Sequence, residues 1–299
     1  MGAGASSAVV ADADSSAAGE VGLGDLPDSC VAAVMLHLDP VEICRLARLS
    51  RSFRSAAAAD FVWETKLPTN YRYLIEKARS FSSSSSSSGS DEEEVAMTKK
   101  EMYARLCRPV PFDDGIKQFW MEKSRGGICM AISSKGLAIT GIDDRRYWNY
   151  IPTDESRFHT VAYLQQIWWL EVAGEVDFCF PAGTYSLYFR LHLGRATRRL
   201  GRRMYNHEHI HGWDIKPVKF QLWTSDGQHA LSQCHLDEPG CWKRYLVGDF
   251  VVEKSDVPTN VKFSMTQIDC THTKGGLCVD SVLIYPKGFR QDKYFHTYM

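Results

Sequence analysis

The sequence predicts an α+β chain of two domains, a small helical module followed by an antiparallel β-sandwich. Three observations carry that expectation. Apolar residues recur at helical spacing between residues 26 and 63. From about residue 116 the apolar period changes to two. Gly- and Pro-rich turn signals then separate many short alternating stretches, with no long helix between them. Short strands without crossover helices pack as sheet on sheet.

Residues 1–22 are mostly Ala, Gly, Ser and Asp, with little to bury, and read as a disordered tail. Its opening Met-Gly-Ala-Gly-Ala-Ser fits the N-myristoylation pattern, with Gly2 as the acceptor. No polybasic patch accompanies it, so one acyl chain would hold a membrane only weakly. Pro27 follows Leu26, and Asp28 or Ser29 is expected to cap the helix that starts there. Val31, Val34, Met35 and Leu38 form its stripe. Asp39-Pro40 ends that helix and starts the next. Ile43, Leu46, Ala47, Leu49 and Phe53 continue the period, and Phe61, Val62 and Trp63 close the module.

Seven consecutive serines, Ser82 to Ser88, precede the acidic run Asp91–Glu94 and read as a solvated, phosphorylatable tether. Residues 97–108 read as a short helix ended by Pro109 and Pro111. The expected boundaries are a tail over 1–22, the helical module over 23–70, a helical and Ser-rich linker over 71–110, the sandwich over 111–290 and a tail over 291–299.

Within the sandwich, residues 185–193 place apolar side chains at odd positions, as do 261–265; in 218–222 they fall at even positions, and in 279–285 Val279, Ser281, Leu283 and Tyr285 alternate with Asp280, Val282 and Ile284. Turn signals lie at Gly126-Gly127, Pro181-Ala182-Gly183, Asp226-Gly227, Pro239-Gly240 and Gly275-Gly276. Trp168 and Trp169 are adjacent, so as strand residues they face opposite ways and one belongs to the core.

Composition narrows the function. A net charge of −1 disfavours nucleic acid as a partner, because a phosphate backbone calls for a strongly basic face. Nine cysteines without a C-x-x-C pair point to reduced thiols in the nucleus and cytoplasm. No stretch reaches the roughly 20 apolar residues of a transmembrane helix, and no secretory signal opens the chain.

Four weaker signals remain in the sequence. His207, His209 and His211 alternate and in a strand would share a face, but they lack the carboxylate pattern of a metal centre. Cys270, His272 and Cys278 match no zinc spacing. A Cys–His hydrolase would draw on Cys129, Cys234 or Cys241 with His159, His229 or His235, and needs an activated thiol. Arg195, Arg198, Arg199, Arg202 and Arg203 form one basic cluster, read either as a solvated loop or as a patch for nuclear import or an anionic partner.

The run Leu26-Pro27-Asp28, Val34, Leu38, Asp39-Pro40, Ile43, Leu46, Leu49-Ser50-Arg51, Phe53 and Val62-Trp63 resembles an F-box. Family members often carry Cys where Ser50 stands and Trp where Phe53 stands. The resemblance implies docking on the adaptor subunit of an SCF-type cullin–RING ubiquitin ligase. Leu26, Pro27, Val34, Leu38 and Ile43 are then the adaptor-facing candidates, while Leu49, Phe53 and Trp63 hold the module together. So short a domain buries little surface alone and gains by packing on a partner's helices.

Residues 116–287 resemble the phloem protein 2, or Nictaba-like lectin, domain. The resemblance rests on Ser134–Thr140 with Tyr147-Trp148, on Ile167–Glu175, on Trp242–Phe250, and on 261–286 with its Lys274-Gly275-Gly276-Leu277. It implies a jelly-roll lectin-like sandwich that binds N-acetylglucosamine-containing glycans. Trp148 matches one aromatic position of the lectin site and Tyr147 adjoins it. The other aromatic position falls at Gly141, and a carboxylate position falls at Gln267. Together the two resemblances imply a non-catalytic receptor that needs no cofactor. It would recruit a target protein, glycosylated or not, for ubiquitylation. A stand-alone nucleocytoplasmic lectin and a receptor reading a bare protein surface are the alternatives.

Overall fold

Prolines set both of the first helices. Pro27 precedes α1 (Asp28–Met35) and Pro40 opens α2 (Pro40–Leu46), where a fixed φ and a missing N–H suit a helix start. Asp39 caps α2, and the Glu42 carboxylate accepts the Asp39 N–H at 3.2 Å in a capping box. Ser50 caps α3 (Arg51–Ala56), its hydroxyl accepting the Phe53 N–H at 3.1 Å. The start of α1 differs from the expectation. Pro27 takes the cap position, so Asp28 already lies inside the helix and caps nothing. Its carboxylate instead accepts the Ser52 hydroxyl at 2.8 Å, tying α1 to α3.

The computed structural model describes residues 26–84, 97–124, 126–199, 202–206 and 209–289. The chain divides into two units, Met1–Val62 and Trp63–Met299, and the division falls inside α4 (Asp60–Glu64). Val31, Ala32, Met35, Ile43, Ala56, Ala57 and Val62 are buried apolar residues around which the first unit is built.

The second unit begins with α5 (Tyr71–Ser84) and α6 (Lys99–Leu106) and continues as strands. In chain order these are β1 (Val110–Phe112), β2 (Lys117–Met121), β3 (Ile128–Ser133), β4 (Ala138–Ile139), β5 (Trp148–Pro152), β6 (Thr160–Leu164), β7 (Leu170–Phe178) and β8 (Gly183–Leu193). Then come β9 (Arg195–Arg199), β10 (Arg202–Asn206), β11 (Val218–Thr224), β12 (His229–Cys234), β13 (Trp242–Val252), β14 (Thr259–Gln267) and β15 (Leu277–Pro286). One sheet runs β1-β2-β3-β15-β6-β5, with β8 also beside β15 and β13 beside β8. The facing sheet runs β12-β11-β14-β7-β4. Every one of these pairings is antiparallel. The predicted fold class, helices followed by an antiparallel sandwich, is the one observed.

Inward-facing aromatics join the sheets. Phe189 of β8 lies 5.7 Å from Phe220 of β11 and 6.0 Å from Phe263 of β14. Fully burying each such ring stabilises the sandwich by about 2–3 kcal/mol. Strand β11 keeps the predicted alternation, with Val218, Phe220 and Leu222 buried and Lys219 and Trp223 exposed. Strand β15 is central and buried on both faces. Its outward Asp280 is buried too, and pairs with Arg190 at 2.6 Å.

Helix α5 packs on the sandwich. Tyr73 sits edge-on to Phe178 at 5.5 Å, and Asn70 donates to the carbonyls of Cys179 (2.8 Å) and Ser255 (3.2 Å). Tyr103 of α6 donates to the Lys123 carbonyl at 2.6 Å and packs against Trp63 at 5.1 Å.

Candidate functional site

Two surfaces carry the residues singled out from the sequence. On the helical unit, Val34 is 46% exposed and Pro27 is exposed, while Leu26 and Leu38 are half-buried. Ile43 is fully buried, so it supports this surface from beneath. Leu49, expected inside the module, is 71% exposed. Helix α2 ends at Leu46, and the turn that follows carries Leu49 off the buried stripe. Phe53 is half-buried and Trp63 is buried.

The second surface is one end of the sandwich, where the loops after β4, β6 and β14 meet. Trp148 opens β5 and is 1% exposed; its indole N–H donates to the Thr140 carbonyl at 3.1 Å. It therefore presents no ring face to solvent in this structure. Gln267 ends β14 and is also buried. Its amide N–H donates to the Lys216 carbonyl at 2.5 Å, and its amide oxygen is buried without a partner. Tyr147 is the exposed member of the three, with the Arg146 guanidinium 5.6 Å above its ring. Its ring lies against Gly141, where a Cβ would meet Tyr147 Cδ2 at 3.4 Å.

Trp168 and Trp169 are both exposed, which corrects the reading of one of them as core. Strand β7 starts only at Leu170. Ile167 pairs instead with Lys274 in an isolated bridge, leaving the two tryptophans in the bend between. Gln267 lies opposite Leu170, so Ile268, itself exposed, continues from the same strand ends as Trp169. The Trp169 indole N–H donates to the Glu171 carboxylate at 3.3 Å.

Beneath this aromatic surface lies Lys274, whose side chain is fully buried. Its ammonium donates to the carbonyls of Trp168 (2.7 Å), Gln267 (2.9 Å) and Asp269 (3.0 Å). Three donors meet three acceptors, the full capacity of a lysine head group. Burial pushes the Lys274 pKa down. The next two residues must be glycine. A Cβ at Gly275 would sit 2.2 Å from the Gln165 carbonyl oxygen, and one at Gly276 2.9 Å from the His209 carbonyl oxygen. Lys274-Gly275-Gly276 thus clasps the loops that display Tyr147, Trp168, Trp169 and Ile268. An exposed aromatic face rimmed by Glu171 and Asp269 suits a ligand with an apolar face and polar edges.

Burial pushes the thiol pKa of Cys129 and of Cys234 up, away from the thiolate that a nucleophile needs. His209 lies in a turn, and His211 Nδ1 sits 3.0 Å from the His209 carbonyl oxygen, so strand alternation does not apply to them. Among the described residues no three metal-ligating side chains cluster. Gly2, Asp91–Glu94 and His207 lie outside the described residues. No described helix is long and apolar enough to cross a membrane.

Comparison with known proteins matches both parts of the chain. Residues 127–286 match the family model described as Phloem protein 2, and residues 23–65 match the F-box domain. The chain is 60% identical to F-box protein PP2-A13 of Arabidopsis thaliana over 269 residues, covering 89% of this chain and 88% of that one. It is 59% identical to F-box protein PP2-A12 of the same plant, covering 89% and 88%. Among solved structures, a family 35 carbohydrate binding module from Clostridium thermocellum overlays 53% of this chain and 98% of its own. With 12% identity and a TM-score of 0.32, that overlay is too loose to bear on function.

Proposed function

The chain belongs to the family of F-box proteins that carry a phloem protein 2 domain, and on that premise we propose that it is the target-selecting subunit of an SCF-type ubiquitin ligase. The observation that carries this reading is apolar surface left in solvent on the helical unit. Val34 and Pro27 are exposed, with Leu26 and Leu38 half-covered beside them. Such a surface gains by packing into a partner's groove. Leu26, Pro27, Val34 and Leu38 are the proposed adaptor contacts, with Ile43 as the buried residue that fixes them.

The test is capture of the SCF adaptor by the full-length chain and by its Leu26→Ala/Pro27→Ala and Val34→Asp variants. Loss of capture by variants that keep their melting temperature is expected. Full capture by them rejects this docking surface.

The sandwich then selects the target and raises its effective concentration beside the ubiquitin-charging machinery. We propose that selection centres on Trp168 and Trp169, with Tyr147 beside them. Burial of Trp148 and Gln267 supports this choice over the lectin positions inferred from resemblance. A titration with chitin oligomers separates a glycosylated target from a bare protein surface. Saturable binding supports the former, and none at millimolar sugar supports the latter. The nine free cysteines support the nucleus and cytoplasm as its compartments. Gly2 is the proposed acceptor of a myristoyl chain, checked by the mass of the N-terminal peptide.

A further inference from the structure

A patch of charge lies on the outer face of the larger sheet, turned away from the facing sheet. Strand register lays its side chains in rows. Trp242, His192 and Cys278 form one row, Arg244, Arg190 and Ser281 the next, and Leu246, Tyr188 and Leu283 the third. Arg244 and Arg190 thus lie directly opposite each other, and like charges in that position work against the pairing.

The 153–159 loop between β5 and β6 folds onto the same face as a strap. Its Glu155 carboxylate accepts the Trp242 indole N–H at 2.8 Å, and its Arg157 guanidinium lies 4.2 Å above the Trp120 ring. Arg190 lies in the same way 4.3 Å above Trp242. A guanidinium stacked on a ring keeps an in-plane edge of N–H donors for an anion. Burial raises the pKa of the Tyr285 hydroxyl, and the charges of Arg157, Arg244 and Arg190 all pull it back. Three guanidinium groups therefore bear on one spot, from the strap, β13 and β8.

Asp280 is the floor of that spot. A bulge between Val279 and Ser281 sets it out of the ladder, where β15 changes its neighbour from β6 to β3. Its side chain is buried, and Oδ2 accepts Arg190 Nη1 at 2.6 Å and the Ser281 hydroxyl at 2.7 Å. The other oxygen, Oδ1, has no hydrogen-bond partner among the described residues. A buried acceptor left open costs free energy until a donor reaches it.

We propose that Arg157, Arg190, Arg244 and Asp280 bind a small anion that carries its own hydroxyl, a hydroxycarboxylate or a hydroxyalkyl phosphate. The anionic head takes the guanidinium edges, and the hydroxyl donates to Asp280 Oδ1. A small molecule is favoured over a peptide on two grounds. The strap roofs the patch, and the free edge of β13 is already answered by β12. There the Ser232 hydroxyl donates to the Leu246 carbonyl at 2.6 Å and the Gln228 amide to the Val251 carbonyl at 2.7 Å. The site goes beyond the ligase reading, since it uses neither the helical unit nor Trp168 and Trp169.

The experiment is isothermal titration calorimetry on the full-length protein with two matched pairs of probes, malate against succinate and glycerol phosphate against inorganic phosphate. A phosphoserine peptide is the fifth probe. Each second member lacks the hydroxyl, so the first is expected to bind at least about tenfold tighter in one pair or both. The pair that shows it tells a carboxylate head from a phosphate. Arg157→Gln and Arg244→Gln, on samples that keep the wild-type melting temperature, are each expected to weaken that binding about tenfold. Indole N–H resonances of nitrogen-labelled tryptophan locate the ligand independently of any variant. Those of Trp242 and Trp120 should move, and those of Trp168 and Trp169 should not. The proposal is overturned if neither pair shows the preference, which leaves an adventitious ion only. Tighter binding of the phosphoserine peptide, unchanged affinity in both folded arginine variants, or shifts confined to Trp168 and Trp169 also overturn it.

Discussion

The Lys274 ammonium donates to the Trp168 carbonyl at 2.7 Å from a side chain with no solvent exposure. A buried charge is costly unless every donor finds an acceptor, and here the carbonyls of Gln267 and Asp269 take the remaining two. Lys274→Met keeps the chain length and removes all three donors. The expected loss is about 2–3 kcal/mol, the scale of buried carbonyls left unpaired. Urea unfolding measures it, and an increase in Trp168 and Trp169 mobility by fluorescence anisotropy decay should accompany it. A variant as stable as wild type would show that the ammonium does not hold these loops.

Gly275 and Gly227 make a matched pair of tests. At Gly275 a methyl would strike the Gln165 carbonyl oxygen at 2.2 Å, so Gly275→Ala must displace backbone at a cost of about 3 kcal/mol. At Gly227 nothing lies within 4 Å, but φ is +89°, so Gly227→Ala costs only left-handed strain of about 1–2 kcal/mol. Thermal unfolding of the two variants should preserve that order.

Asp28 sets a pH dependence. The hydroxyls of Ser55 and Ser52 hold its carboxyl below the usual range. A carboxylate depressed in the fold contributes stability that is present above its unfolded pKa of roughly 4. That contribution is lost as pH falls through the lower folded value. Ser52→Ala/Ser55→Ala should return the Asp28 titration, followed by NMR of its side-chain carbonyl carbon, to the ordinary carboxylate range. An unmoved titration would remove the hydroxyls as its cause.

The sequence was legible where a local rule decides. Alternation located β8, β11 and β14, because each buries one face against the facing sheet. Asp39-Pro40 located α2, because the cap and the proline act within one turn. Period reasoning failed where the backbone leaves the regular element. Leu49 and the Trp168–Trp169 pair lie one to three residues beyond the helix and the strand whose period would give them a face. What stops β7 there is the bridge from Ile167 to Lys274, more than 100 residues away, which no window of sequence contains. The role of Lys274 was hidden for the same reason, since its partners are backbone carbonyls and leave no mark in the sequence.

Trp148 and Trp168 separate the two accounts of the target site. Trp148 is buried and hydrogen-bonded to Thr140, so Trp148→Ala should cost about 3–5 kcal/mol. Any binding lost with it follows from a loosened loop end. Trp168 and Trp169 are half-exposed, so Trp168→Ala/Trp169→Ala should leave stability within about 0.5 kcal/mol of wild type. Truncating two such aromatic anchors is expected to cost about 2 kcal/mol or more of target affinity, roughly thirtyfold. Thermal unfolding and target capture on the same samples decide the matter. If the double variant captures target as well as wild type, while a stable Trp148→Phe variant does not, the contact surface lies under Tyr147, and the exposed tryptophans serve something else.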